Sequence, residues 1–230
     1  MVTGLQLEIL DASGSVRSMV CSGFLSQAGR KIAFLTADHC VGEVQKLLTC
    51  HNRSKGTSPV LRLVLPRNEP SETVALDPGV LARFRRVPAK LLRFADCAAL
   101  VLPDGSAAAC SGFAIPTLPP PPSAKRGQVV AVGFKGTPSE IHDEGVWKLE
   151  KLILPLKRLN RRAKYSTTWN IDWGRAEPED LKGMSGGPVV HVSEDGLRVV
   201  GVVSAQYGQP GKPDWIRVAT FHPDLLEQSG

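Results

Sequence analysis

The sequence predicts an all-β protein built as a sandwich or a barrel. Two observations carry that prediction. Short segments alternate apolar and polar residues with a period of two, as in Leu5-Gln6-Leu7-Glu8-Ile9-Leu10, which is the pattern of a half-buried strand. Glycine and proline are frequent, 22 and 18 of 230 residues, and they punctuate the chain between those segments.

The elements follow in order. Val20 to Leu25 and Lys31 to Thr36 flank a turn containing Gly29 and read as a hairpin. Val41-Gly42-Glu43-Val44 begins a short turn or helix. Val60 to Leu65 and Ala98 to Leu102 are strands, the second preceded by the acid Asp96. Four consecutive prolines, Pro119 to Pro122, make a stiff polyproline-like stretch, suited to a linker or to a long loop within one domain. Beyond it, Gln128 to Phe134 reads as a buried strand, and Trp147 to Leu154 alternates. Pro188 to Val192 and Arg198 to Ala205 complete a second sheet. The tail Pro223 to Gln228 has the composition of a short helix.

Composition narrows the classes of function. With 42% hydrophobic residues the chain can bury a real core, and 22% charged is ordinary for a globular protein. The longest apolar runs, such as Val199 to Val203, are far too short to span a bilayer. The net charge of +6 is modest. Its clusters, Arg83 to Arg86 and Lys157 to Lys164, read as solvated surface. The second has only Tyr165 beside it and lacks the repeated aromatics of a single-strand groove, so nucleic acid is not an expected partner. There is no phosphate loop, metal-ligand spacing or cofactor motif; no metal and no cofactor are expected. Cys50, Cys97 and Cys110 read as core thiols. The start Met-Val-Thr-Gly-Leu-Gln has neither a basic stretch nor an apolar signal core, which favours the cytoplasm over secretion.

The segment with the most chemistry is Gly183-Met184-Ser185-Gly186-Gly187-Pro188. A serine between glycines can turn sharply and let a carbonyl approach the main-chain N–H groups, yet its hydroxyl needs a base. His39, in Thr36-Ala37-Asp38-His39-Cys40, is the candidate base, and Asp96 its candidate orienter. Asp38 is a rival orienter, but a residue adjacent in an extended chain points away from its neighbour; Asp104, in a turn, is a weaker one. His51, His142, His191 and His222 have no such context and read as structural or exposed.

Together these segments resemble the chymotrypsin-fold, trypsin-like serine peptidases. Thr36 to Cys40 is similar to the family's T-A-A-H-C, Asp96 to Leu100 to D-I-A-L-L, Gly183 to Pro188 to G-D-S-G-G-P, and Gly201 to Ser204 to G-I-V-S. The order His39, Asp96, Ser185 is the one that family uses. The resemblance implies two six-stranded antiparallel Greek-key barrels with the active site in the cleft between them. Residues 1–112 would carry His39 and Asp96, 113–127 would link the barrels, and 128–230 would carry Ser185. It implies a serine endopeptidase acting on protein or peptide substrates, with the N–H groups of Gly183 and Ser185 as the oxyanion hole.

It also implies that Glu179 and Asp180, with Ser204, Ala205 and Gln206 as one wall, form the specificity pocket, which would then prefer basic side chains. Cys21 and Cys40 fall where the family carries a disulfide. Met184 departs from the family pattern, because secreted members have there an Asp that pairs with a new N-terminus. The chain therefore looks closer to bacterial and viral members that are not such zymogens. Its oxyanion loop must then be ordered by packing, a ligand, an activating partner or a parent polyprotein. The alternatives are a catalytically silent binding module of the same fold, or a peptidase with an accessory nucleic-acid-binding loop.

Overall fold

A computed structural model of the protein describes residues 2–10, 16–28, 30–53, 59–65, 72–86, 96–116, 128–135, 150–162, 166–174, 181–194, 196–209 and 212–220. The alternation read in the first segment is a strand: β1 (Thr3–Leu10) buries Leu5, Leu7 and Ile9 on one face, and on the other it buries Gln6 and leaves Glu8 half-buried. β1 pairs antiparallel with β2 (Val16–Ala28) and with β4 (Val60–Val64). The long β2 changes partner midway: Val16 to Gly23 pair with β1, and Phe24 to Ala28 with β3 (Lys31–Thr36). β5 (Thr73–Leu76) pairs with β4, β7 (Ala98–Val101) with β3, and β6 (Arg85–Arg86) with β7. β8 (Ile115–Pro116) adds a parallel pair to β2, so an eight-stranded sheet results, ordered β5-β4-β1-β2-β3-β7-β6 with β8 off that path.

The second half is a closed barrel of β9 (Gln128–Lys135), β10 (Glu150–Arg162), β11 (Ser166–Ile171), β12 (Pro188–Ser193), β13 (Gly196–Gln209) and β14 (Lys212–Ala219), in the order β10-β11-β14-β13-β12-β9. An all-β protein with one closed six-stranded barrel and a second, antiparallel-dominated sheet is thus present. Each half has its own apolar core. Phe24, Phe34, Leu5 and Leu7 lie in the first, and Leu154, Ile171, Met184 and Ile216 in the second. The cores are not separate bodies, because Val202 and Ala219 of the barrel are buried with the first.

Two helices differ from the sequence reading. The short turn or helix expected to begin at Val41 lies inside a 16-residue helix, α1 (Asp38–Arg53). Val41 and Val44 bury one face of it and Leu47 and Leu48 continue that face at helical spacing, an i, i+3, i+6, i+7 pattern that outweighs Gly42 and the β-branched valines. Asp104 does not sit in a turn but opens α2 (Asp104–Cys110), whose three alanines favour helix and whose Cys110 is buried. The tail helix at 223–228, the prolines at 119–122 and the alternation at 147–149 lie outside the described residues.

The tightest backbone approach between the halves is at Gly186, with φ +91°. A Cβ there would run into the Ser22 carbonyl oxygen and Thr36 Oγ1. Gly186→Ala therefore meets both an unfavourable φ and a collision with buried backbone. It is expected to cost at least about 3 kcal/mol. The thermal midpoint should fall by roughly 6 °C or more. A midpoint unchanged in a calorimetric scan would contradict this packing.

Candidate active site

The pairing of β3 with β7 brings the candidate acid and base together. Thr36 lies opposite Ala98, so the residues just beyond these strands, Asp38 and Asp96, approach each other where α1 begins. The Asp96 carboxylate binds His39 twice. Oδ1 accepts the His39 main-chain N–H at 3.0 Å, and Oδ2 accepts Nδ1–H at 2.6 Å. The first bond supplies an acceptor to a main-chain donor in the opening turn of a helix, a donor that has no partner within the helix. In the neutral ring the second places the proton on Nδ1 and the lone pair on Nε2. Asp38, the rival, faces elsewhere: its carboxylate lies 3.0 Å from Arg86 Nε, and Arg86 also donates to Gln45 Oε1. Burial raises the Asp38 carboxyl above its ordinary value, against the opposing pull of Arg86.

His39 remains 41% exposed at its side chain, open to the cleft. Its hydrogen bond to Asp96, with a smaller contribution from Cys40, pushes its pKa up from 6.5 to about 10. Cys40 follows in the same helical turn and is buried. Its Sγ lies 3.6 Å from His39 Nε2 and 3.6 Å from the Ser185 carbonyl oxygen. Cys21 donates to the Cys40 carbonyl oxygen at 3.8 Å, and both thiols are free. The Cys21 contact, burial and the nearby Cys21 sulfur together raise the Cys40 thiol well above its usual range, which keeps it protonated.

Ser185 sits in the loop between Leu181 and β12. Three N–H groups of this loop are committed to the fold: Met184 to Leu181 O, Gly186 to Val203 O and Gly187 to Met184 O. The N–H groups of Gly183 and Ser185 make no such bond among the described residues, and both residues line the cleft with His39. Gly183 has φ +91°, the left-handed region that glycine adopts freely. Met184 turns inward, 1% exposed, and packs on Gly133 of β9.

The cleft has a volume of about 430 Å³. Beyond Ser185 it runs between the Leu181 segment and β13, reaching Ala205, Gln206 and Ile216. Gln206 Oε1 accepts the Leu181 N–H at 3.2 Å, bridging the two walls, and Ile216 stands opposite Gln206 on β14. Ser204 lies at a register shift of β13 and exchanges hydrogen bonds with Arg217 rather than opening into the cleft. Of the expected pocket residues, Ala205 and Gln206 line the cleft, Ser204 is tied to the barrel, and Glu179 and Asp180 lie outside the described residues. Among the described carboxylates, only Glu43 of α1 lines the cleft.

Sequence reasoning passed over Ser22 and Ile216. Ser22 is buried in β2, and its hydroxyl donates to Gly183 O while accepting from Phe134 N. A serine in an apolar strand beside a glycine carries no local signal for that contact. Ile216 is visible only through its pairing across β14. Among the described residues no cluster of three or more His, Cys, Asp or Glu could hold a metal ion, and no helix is long and apolar enough to cross a membrane.

Comparison with known proteins gives two findings. The family profile described as "Trypsin-like peptidase domain" matches residues 21–202. Among solved structures, the thermostable serine protease AL20 from an extremophilic microorganism superposes with a TM-score of 0.51. It is 17% identical, with 98% of this chain and 93% of that one covered. At that identity the likeness speaks to the fold. No curated protein sequence matches.

The His39–Asp96 bond has a measurable consequence. Because the pKa of His39 is raised, its neutral form is populated only as the pH climbs, with a midpoint above 6.5. The stabilisation from this bond is complete below 6.5 and is lost as the pH rises through about 10. An NMR titration of the His39 ring should show that raised midpoint, and Asp96→Asn should move it down. A native midpoint at or below 6.5 would contradict the arrangement.

Proposed function

Because the chain belongs to the trypsin-like peptidase family, we propose that it is a serine endopeptidase working through His39, Asp96 and Ser185. The observation that carries this is a cleft lined by Ser185, by two N–H groups that make no main-chain bond among the described residues, and by a histidine whose Nδ1 is held by a carboxylate, a ring that becomes a base as rising pH removes its second proton. Ser185 Oγ attacks the substrate carbonyl carbon while His39 Nε2 takes the hydroxyl proton. Asp96 keeps Nδ1–H in place and stabilises the imidazolium. The negative oxygen is held by the N–H groups of Gly183 and Ser185, each such donor contributing about 2.7–4 kcal/mol to the transition state. The tetrahedral adduct then breaks its C–N bond, and the leaving amine takes the proton from His39. Water, activated by the same Nε2, releases the acyl group. For Nε2 to serve Ser185, the Cys40 thiol must leave its present contact and donate to the Ser185 carbonyl instead.

The buried Met184 supports placing the protein with members that need no activation cleavage, since it fills the barrel core where an acid would seek a partner. In the same reading the eight-stranded sheet is the counterpart of the first barrel. The P1 side chain of the substrate enters between Leu181 and β13. The described walls there are the uncharged Leu181, Ala205, Gln206 and Ile216, with the cationic Lys182 beside Leu181 and no carboxylate among them. They favour a small uncharged P1 residue over the basic one that Glu179 and Asp180 would select.

Two measurements check this. A fluorophosphonate probe should add once to the native protein, by intact mass, and not to Ser185→Ala or His39→Ala; kcat should fall by at least about 10⁴ in either variant. Absence of an adduct on the folded native protein would contradict the mechanism. In peptides that differ only at P1, Ala or Val should be cleaved faster than Arg. Faster cleavage after Arg would contradict the reading of the walls and assign the pocket to Glu179 or Asp180.

A further inference from the structure

We propose that Ser22 is the positioning residue that sets the oxyanion-binding loop, doing by an internal hydrogen bond what an N-terminal ion pair cannot do beside Met184. The inference rests on the peptidase reading for its functional meaning and on geometry for its substance. Ser22 lies in the stretch of β2 just before the strand changes partner, fully buried. Its hydroxyl has one hydrogen and lone pairs to offer, and both roles are filled across the junction between the halves. It donates to the Gly183 carbonyl oxygen at 2.5 Å and accepts the Phe134 N–H of β9 at 2.9 Å. Its own carbonyl oxygen accepts from Thr36 Oγ1 at 2.7 Å and lies against Gly186.

Ser22 therefore touches the nucleophile loop on both sides of Ser185, two residues before it and one after. The hydroxyl matters more than the packing. Gly183 has no Cβ to bias its rotation, and its peptide planes can turn at little steric cost. Holding its carbonyl fixes the plane shared with Met184, whose N–H in turn reaches Leu181 O. Met184 anchors the next residue in the barrel core. With these two restraints the Gly183–Met184 peptide plane is fixed, so the plane that carries the Gly183 N–H keeps only the rotation about the Gly183 N–Cα bond, and that narrowing is the preorganisation an oxyanion hole requires. Phe134 N plays the complementary part: it fixes the Ser22 rotamer by occupying the oxygen's acceptor side, so the hydrogen is directed to Gly183.

The test separates the hydroxyl from its volume. Ser22→Thr and Ser22→Val have the same shape, so any steric cost of the added methyl groups is common to both. The expected result is a kcat at least tenfold higher for Thr than for Val, with KM within about twofold. A tetrahedral boronic-acid inhibitor should lose affinity for Val in proportion to kcat. Equal kcat in the two folded variants, or a loss confined to KM, would overturn the proposal. Ser22→Ala supplies a readout free of catalysis. In ¹⁵N–¹H spectra its Gly183 and Ser185 amide signals should shift or split, while those of barrel strands such as β11 stay in place. Unmoved Gly183 and Ser185 signals would overturn the positioning role even if the native protein cleaved no peptide. Loss of the fluorophosphonate adduct in the native protein, with those amides shifted as expected, would instead sink the peptidase reading and leave the Ser22 contact standing.

Discussion

The site depends first on one carboxylate. Asp96 accepts both the main-chain N–H and the ring N–H of His39, so a single side chain closes the first turn of α1 and sets the imidazole. The two tasks reinforce each other. A carboxylate beside the start of a helix is favoured by the orphan N–H groups there, and the same fixed charge holds the ring. Asp96 is held there by the residues after it: Cys97 is completely buried, and Ala98, also buried, opens the strand that pairs with β3. Position comes from the sheet, and tautomer from the carboxylate.

The second constraint is that the residues of the candidate site belong to different cores. His39 and Asp96 rest on the eight-stranded sheet, and Ser185 on the barrel. A displacement of about 1 Å between them would cost much of any rate acceleration. The halves are locked by polar contacts of short reach, Ser22 to Gly183 and Phe134, and by Gly186 pressed against Ser22 and Thr36, where no Cβ fits. Apolar burial supports the lock, since Val202 and Ala219 of the barrel belong to the opposite core. Non-directional burial brings the halves together, and the hydrogen bonds set their register.

The thiols beside His39 illustrate how close this packing is. Cys40 reaches both His39 Nε2 and the Ser185 carbonyl, and its one hydrogen can serve only one of them at a time. Its raised pKa keeps it a neutral neighbour and not a competing nucleophile, because a thiolate there would be buried beside Cys21. The cleft is therefore lined at His39 Nε2 by a weak, polarizable group where a stronger donor would hold the ring nitrogen more tightly.

Much of this was legible in the chain. Period-two alternation marked β1 and the start of β10, while short apolar runs marked β7 and β9. The Gly-rich loop, the His and the acid were found because their chemistry needs those residue types. The helix α1 was underestimated, since Gly42 and two valines lower its propensity while burial of Val41 and Val44 supplies what propensity lacks. The strands β11 and β14 were missed; their residues face a closed barrel whose curvature and bulges break simple alternation. The sequence by itself determined the strand pattern, the reactive side chains and their order. Only the tertiary structure decided that Asp96 and not Asp38 holds His39, that Gln206 and Ile216 line the cleft, and that Ser22 is hydrogen-bonded to Gly183. Each of those choices is a contact between segments tens to more than a hundred residues apart, and such contacts are set by sheet register and core packing, for which local composition carries no signal.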